Sequence, residues 1–406
     1  MLSVRLAWRN IWRNGKRTAI TMTAISLNTA ISILSFALMA GLADRLTRNA
    51  TRIAVGDAQV HAPGYRQDRS IYKSMPNAQG VLDAARARGV QAVPRSYGFG
   101  LLASGPKSAG AVFWGVDPGA ERSAFDLPGE LDAGRYLAHR AGRGVVLGRR
   151  LAKSLQVGVG DEVIAMVQAA DGSLGNERFR VEGILKSVGD DIDFTTAILH
   201  ADDFSELFVS GGRVHEIALR GTGGESPESV VRAIAAAAPG MEVLTWQEIL
   251  PQLSSLLAVW GVAMTLFGGI FAAAAGVGVT NTMLMAAYER MPEFGILKAL
   301  GSTPWRIVRD MSTEALMMAL LATAIGAALG SGAAIWLRIR GLDLSPFVAG
   351  TVSLSGAVFD PVLRPALSPL IVIAVVVSMW VVTVAAALYP AAKAARIDPV
   401  KAISHV

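Results

Sequence analysis

The chain has 406 residues, 52% of them hydrophobic, and its mean hydropathy is +0.42, too apolar for an ordinary soluble protein of this length. The net charge of +6 and pI of about 9.7 do not point to nucleic acid, because the basic residues flank apolar runs and form no single patch. There is no cysteine, so no part of the chain can rely on disulfides.

Four stretches lack Asp, Glu, Lys and Arg: residues 18–43 (26 residues), 249–288 (40), 315–337 (23) and 365–392 (28). Each exceeds the ~20 residues needed to cross a hydrocarbon core of about 30 Å. The expected fold class is therefore membrane α-helical, with four transmembrane helices and a large domain, residues 44–248, inserted between the first and second. Basic residues near the span ends set the orientation. Arg5, Arg9, Arg13, Lys16 and Arg17 precede span one, Arg290, Lys298, Arg306 and Arg309 lie between spans two and three, and Lys393, Arg396 and Lys401 follow span four. These twelve place both termini in the cytoplasm and the inserted domain outside. The three groups of residues then carry net charges of +7 (inside), +1 (outer loop 338–364) and −2 (inserted domain).

Residues 1–17 read as a basic amphipathic helix in the membrane interface. Val4, Trp8, Ile11 and Trp12 share one helical face and Arg5, Arg9 and Arg13 the neighbouring stripe. Span one far exceeds the 7–15-residue core of a cleaved signal, so it is expected to stay as an anchor. Its Thr21, Thr23, Ser26, Asn28, Thr29, Ser32 and Ser35 favour helix–helix contact in lipid.

The inserted domain reads as α+β. Strand-like runs are 53–61, 111–116, 163–167, 179–186, 197–199 and 216–219; helical runs are 78–88, 149–156 and 225–238. Helices near both ends and strands in the middle suggest an α+β base carrying a β-rich insertion at about 98–210. Residues 170–178, ADGSLGNER, read as a hairpin tip. Asp190, Asp191 and Asp193 could gather at a cation but lack the glycine of a calcium loop, so they read as a turn.

Span two is too long for one crossing: a helix of 40 residues reaches about 60 Å. It is expected to form a stalk continuous with the membrane helix. Gly268, Ala272, Gly276 and Thr280, and in span three Gly326, Gly330 and Ala334, recur every fourth residue as seams for close packing. Between them, residues 289–314 form a short charged segment with an amphipathic helix at 293–301. Phe294, Leu297, Ala299 and Leu300 supply its apolar side, and Gly301 and Pro304 end it. Such a helix can slot into a groove on a soluble partner.

Motifs for chemistry are missing. The nearest approach to a phosphate-binding Walker loop, Gly15–Lys16, has Asn10 where the first glycine should be and Arg17 where Ser or Thr should be. The zinc-protease and serine-hydrolase motifs do not occur, and His61, His139, His200, His215 and His405 are scattered. The GFGLLA run at 98–103 is cut off by Gly105 and Pro106 and is not a dinucleotide site. No catalytic or metal-binding residue is expected.

YERMPEFGILKALGSTPWRI at 288–307 and YPAAKAARIDPVKAI at 389–403 resemble the FtsX-like/MacB-type ABC transporter permeases. WGVDPGAE at 114–121, the run at 145–167 and TWQEI at 245–249 resemble the LolC/LolE lipoprotein-releasing permeases within that family. The resemblance implies type VII ABC architecture and a partnership of two permease subunits, identical or homologous, with two copies of a cytoplasmic ABC ATPase. The partner would hold ATP and Mg, and this chain would bind no cofactor. It implies that Glu293, Phe294, Gly295, Ile296, Leu297, Lys298, Ala299, Leu300 and Gly301 dock the ATPase. By mechanotransmission the stroke would release lipoprotein cargo from the bacterial inner membrane. Ser32, Phe36, Met39, Ala40, Leu42 and Leu46, with Leu253, Leu256, Leu257, Trp260, Met264 and Phe267, would form the lipid-facing cargo entrance. A tip at Asp171, Gly172, Ser173 and Leu174 would contact a periplasmic lipoprotein chaperone, although it lacks the length and the proline of the LolC hook. MacB-like efflux, or an FtsX-like scaffold that activates a cell-wall hydrolase, are the alternatives within the resemblance.

Overall fold

The computed structural model describes residues 8–9, 11–13, 15–343, 352–354, 357–359 and 362–396. Within them the chain divides into two bodies. The chain has four helices long and apolar enough to cross a membrane: α1 (Gly15–Ala50) and, much later in the chain, helices at Pro251–Glu289, Pro304–Arg340 and Pro369–Ala395. The first body holds them except for the end of α1 from Arg45 and the start of the second helix up to Leu257, which belong to the second body. All but the first few residues of the second and fourth uncharged stretches fall in these helices, with an α+β domain between the first and second helix. Parts of the loop at 338–364 and the tail at 397–406 lie outside the described residues, as does Val4 of the amphipathic face. Trp8 and Trp12 are exposed with their rings 5.9 Å apart, whereas Ile11 is fully buried against the bundle.

The bundle is held by small residues and hydroxyls. A Cβ at Gly326 would lie 2.5 Å from the Ser26 carbonyl oxygen, and one at Gly330 would lie 2.8 Å from that of Ala30. Only glycine lets these two helices approach so closely. Ser26 Oγ donates to the Ala322 carbonyl at 2.8 Å, and Asn28 Nδ2 to that of Phe271 at 2.5 Å. Thr21 Oγ1 bonds Thr282 Oγ1 at 2.9 Å. Thr280 Oγ1 donates to the Ala386 carbonyl at 3.1 Å, beside Gly276, which meets Val382. Trp380 Nε1 donates to Thr323 Oγ1 at 2.7 Å. The polar face of span one is thus turned into the bundle.

The second body is the inserted domain. Its base comprises β1 (Ala58–His61), α3 (Ala78–Ala87), the first half of β2 (Gln91–Ser104), β9 (Glu216–Arg220), α8 (Pro227–Ala235) and β10 (Glu242–Thr245). The antiparallel strand order β10-β1-β9-β2, with two helices in this sequence, is the β-α-β-β-α-β arrangement of ferredoxin-like folds. Val81, Ala85, Val230 and Ile234 bring the helices onto Val60, Ile217 and Leu219. α2 (Tyr65–Asp68) is a single turn after β1.

Between β2 and β9 the chain builds a closed barrel. β3 (Lys107–Val116) returns antiparallel to β2, and β8 (Thr196–His200) runs parallel to β3. β5 (Gly144–Leu147) pairs with β8, β7 (Leu174–Leu185) pairs with β5, and β6 (Glu162–Gln168) pairs with both β7 and the second half of β2. The six strands therefore form a ring around Leu102, Phe113, Leu147, Val163, Phe179 and Leu199, capped by Phe204 and Phe208 of α7 (Ala201–Phe208). β4 (Leu131–Gly134) adds to the outer edge of β7. The barrel and base share β2, the longest strand, which is absent from the strand-like runs of the sequence. Gly98 and Gly100 interrupt its strand signature because the Phe208 ring and the Val167 and Phe113 side chains press onto the strand there; a Cβ at Gly98 would sit 2.3 Å from Phe208.

Some expected elements differ. Residues 51–55 are a π-helical turn, not strand, and Gly56 at φ 81° turns the chain before β1 begins at Ala58. The hairpin tip is shorter than expected: Gln168 already pairs with Leu174, leaving a five-residue turn, with 174–178 in β7. Asp193 is fully buried and accepts from Ser187 Oγ at 2.5 Å and the Val188 amide at 3.0 Å, so it is spent on local structure. Among the described residues no His, Cys, Asp and Glu cluster could hold a metal.

Candidate functional site

The segment between spans two and three centres on α11 (Met291–Ala299), which follows the 39-residue helix α10 (Pro251–Glu289) after one residue, Arg290. Pro292 suits the first turn, where its missing N–H is not needed. The helix ends at Gly301, φ 88°, with two bonds: Ser302 N to Leu297 O at 2.9 Å and Gly301 N to Lys298 O at 3.0 Å. That pair is a Schellman cap, and glycine is the residue that adopts its left-handed turn at no steric cost.

α11 is fixed on one side and open on the other. Phe294, 4% exposed, packs with Ala287, Ile307, Met311, Ala391 and Ala394. Gly295 is buried beside it. Lys298 Nζ donates to the Ala395 carbonyl at 3.0 Å. Arg290 ties the start: its guanidinium meets Glu314 at 2.9 Å and Glu293 at 3.3 Å, and lies 5.3 Å from the Phe294 ring centre. Glu293 also pairs with Arg13 at 2.9 Å. What remains exposed is apolar: Ile296, Leu297, Leu300 at 79% and Trp305 at 72% at the start of α12 (Pro304–Arg340).

The expected apolar side of 293–301 is therefore divided. Phe294 faces inward as an anchor, Ala299 adds little surface, and Leu297 and Leu300 join Ile296 outside. Trp305 falls outside the expected set, because it lies past the glycine stop; its nearness to an apolar helix end was the available signal.

The expected entrance residues are scattered in environment. Ser32 is buried in the bundle, within 3.5 Å of Asn28 Oδ1. Phe36, Met39, Ala40 and Leu42 are partly exposed along α1, and Phe36 abuts Gly268. Leu46 and Leu253 are fully buried and closed to lipid in this structure, because both are held inside the inserted domain's body. Leu256, Leu257, Trp260 and Met264 are half-buried on α10, and Phe267 is exposed. At the hairpin, Asp171 Oδ1 accepts from the Ser173 amide and hydroxyl at 2.9 and 2.6 Å, Gly172 takes φ 86°, and Leu174 is 87% exposed. Beside it Phe99 and Leu101 of β2 and Ile164 and Met166 of β6 face outward, an apolar stripe that the sequence pattern does not single out.

Four membrane helices, a ferredoxin-like base with a barrel inserted into it, and a capped helix between spans two and three define a membrane protein of type VII ABC-permease architecture. Comparison with known proteins gives the family. A MacB-like periplasmic core domain matches residues 18–237, more than half of the chain, and an FtsX-like permease C-terminal region matches residues 265–399. The chain belongs to this family of ABC transporter permeases, which work with a cytoplasmic ATPase. It is 29% identical over 210 residues to the uncharacterized ABC transporter permease MJ1507 of Methanocaldococcus jannaschii, covering 50% of each chain; it thus spans about half the length of that relative. It is 24% identical over 409 residues to the lipoprotein-releasing system transmembrane protein LolC of Xylella fastidiosa, covering 97% of this chain and 95% of LolC. Among solved structures it is similar to the periplasmic region of MacB from Actinobacillus actinomycetemcomitans, with a TM-score of 0.36 and 16% identity over 47% of this chain and 89% of that one.

Proposed function

We propose that the chain is a permease subunit that converts ATP hydrolysis by a separate cytoplasmic ATPase into release of lipoproteins from the inner membrane, by mechanotransmission. One observation carries the mechanical part: α10 is a single unbroken helix from Pro251 to Glu289, and α11 begins two residues later. A helix transmits displacement along its axis because every turn is hydrogen-bonded to the next. Motion imposed on α11 therefore passes along α10 toward the inserted domain. The ridge of Ile296, Leu297, Leu300 and Trp305 is where the ATPase docks. Two copies of the ATPase and a second permease, identical or homologous, complete the assembly; ATP and Mg stay in the ATPase, and this chain has no catalytic role. Both termini face the cytoplasm.

Similarity to LolC along nearly the whole length supports lipoprotein as the cargo. The entrance is then lined by Phe36, Met39, Leu42, Trp260, Met264 and Phe267, the large side chains of the expected set that present surface within the helical body. The short turn at 169–173 offers Leu174 as the one large apolar side chain at the tip with which to meet a chaperone.

The test is photocrosslinking from Phe36, Met39 and Leu42 in the reconstituted complex during ATP turnover. Lipoprotein adducts are expected. If those positions capture only phospholipid while ATP is being hydrolysed, the cargo assignment fails and an efflux role takes its place.

A further inference from the structure

The inserted domain contains a cavity of about 680 Å³, well away in sequence from the ridge of α11. Its lining includes Asn49 and Ala50 at the end of α1, Ile53, Ala54 and Val55 of the turn that follows, residues 249–253 at and just before the start of α10, and side chains from β1, β2 and β3. The volume is in the range of small-molecule sites, which are mostly apolar with a few polar groups that fix orientation. Both kinds of group are present. Phe99, Trp114, Ile53 and Ile192 give apolar surface.

The charges sort by what already satisfies them. Arg95 is fully buried and matched: it bonds Glu121 at 2.6 and 3.1 Å, Glu216 at 3.1 Å, and the Ala54 carbonyl. Tyr97 Oη donates to Glu216 at 2.9 Å. Asp190 meets Arg150 at 3.8 Å, and Asp191 lines the cavity beside it. Arg66 is different. Its Nη2 donates to the Ile249 carbonyl at 2.8 Å, but Nη1 is buried with no partner. Burial, and then the neighbouring charge of Arg69, hold the Arg66 guanidinium below its ordinary pKa. Glu216 and Glu242 offset this in part, but two guanidinium groups stand on one short turn and one keeps an unused donor. An anion between them would supply the missing acceptor and offset the repulsion.

We propose that this cavity binds an amphiphile whose head is a phosphate or carboxylate, held by Arg66 and Arg69, and whose apolar tail lies on Phe99 and Trp114. The site is separate from the ATPase ridge, and its occupancy does not depend on the cargo reading. Because the ends of both long helices line it, a bound amphiphile touches the two elements through which the chain enters and leaves the domain.

The test uses the full chain in a neutral glycoside detergent, with dodecyl phosphate as probe and native mass spectrometry as readout. A saturable adduct is expected, weakened at least tenfold by Arg66→Gln and by Arg69→Gln, and weakened also by Trp114→Ala. Arg69 is exposed, so its variant decides the matter if Arg66→Gln does not fold. Inorganic phosphate, run in parallel, is expected to bind far more weakly. Phosphate binding as tightly as the amphiphile would make this a free-anion site and overturn the proposal. Dodecyl phosphate binding that is unchanged in both arginine variants would overturn it equally.

Discussion

Phe294 and Leu300 lie six residues apart on one short helix and its cap, and one is buried while the other is bare, so the two side chains separate anchoring from docking. Truncating Phe294 to Ala removes a ring packed against Ile307, Met311 and Ala391, and buried Phe→Ala changes cost roughly 3–5 kcal/mol. Phe294→Ala should therefore lower the melting temperature of the purified chain and loosen α11 even without a partner. Leu300→Asp should cost the chain itself little. Leu300 is 79% exposed, and surface changes of this kind stay within about 0.5 kcal/mol. Against a docked ATPase the same change forfeits the burial of a leucine, about 1.5–3 kcal/mol, and adds a charge to be desolvated.

At about 1.4 kcal/mol per tenfold, Leu300→Asp should weaken ATPase association by about 10–100-fold or more while leaving thermal unfolding unchanged. The assay is paired: differential scanning of the solubilised chain, and titration of the cognate ATPase onto the chain in nanodiscs. Trp305→Ala should follow Leu300→Asp in direction, since its ring is exposed just beyond the same helix end. An unaltered affinity in Leu300→Asp would refute docking by the apolar ridge. An unaltered melting point in Phe294→Ala would refute the anchor.

Gly326→Val should separate α1 from α12 and prevent a stable bundle, because the new side chain meets the Ser26 backbone; Gly332→Ala, with nothing within 4 Å, should behave as wild type in the same detergent melts. Arg95→Met should destabilise the inserted domain by about 3–5 kcal/mol by leaving Glu121 and Glu216 as uncompensated buried charges, and adding Glu121→Gln and Glu216→Gln should recover part of the loss in chemical denaturation. Acidification should also destabilise the domain. His215 accepts the Tyr97 amide on Nδ1 and meets the Ile71 carbonyl through Nε2, and burial lowers its pKa, as it does for His61. With folded pKa values depressed below the ordinary 6.5, this stability is present above that value and is lost as pH falls through it toward the folded values. Unfolding at pH 7.5 and 5.5 checks this, and His215→Asn should flatten the difference.

The membrane half was legible because its signal is coarse. A run of more than twenty apolar residues without a charge seldom occurs in a soluble core, and small residues at every fourth position mark a packed face whatever the partner. The charged segment was legible as a helix because Gly301 and Pro304 end it. Its orientation was not: Phe294, Ile296, Leu297 and Leu300 put apolar groups around most of a nine-residue helix, so periodicity could not tell the anchored side from the open one. β2 was hidden for the opposite reason. Pro94, Gly98 and Gly100 weaken the strand pattern, yet Gly98 is there to admit Phe208, a contact more than a hundred residues away in the chain. The cavity had no sequence signature at all. Its walls come from separate segments of the chain, and what distinguishes Arg66 is an unmet donor, visible only in three dimensions.

Each body is stabilised internally by a different kind of interaction, and the difference bears on the proposed stroke. In the inserted domain a closed strand ring surrounds a continuous core, and a buried arginine joins two carboxylates; distortion would open packing and expose charge together. In the bundle, glycine-to-backbone approaches and single hydroxyl bonds, such as Ser26 to Ala322 and Thr280 to Ala386, stand beside small apolar clusters such as Ile25, Val279, Met283 and Met318. Interhelical hydrogen bonds in lipid contribute only about 0.6–2 kcal/mol each, and smooth glycine faces present few side chains to interlock. Among the described contacts of the bundle these seams are the ones that yield most easily, whereas the inserted domain resists deformation. On the proposed mechanism, a stroke applied at α11 would be met by adjustment at those seams while the inserted domain keeps its internal packing, which is the division of stiffness that mechanotransmission requires.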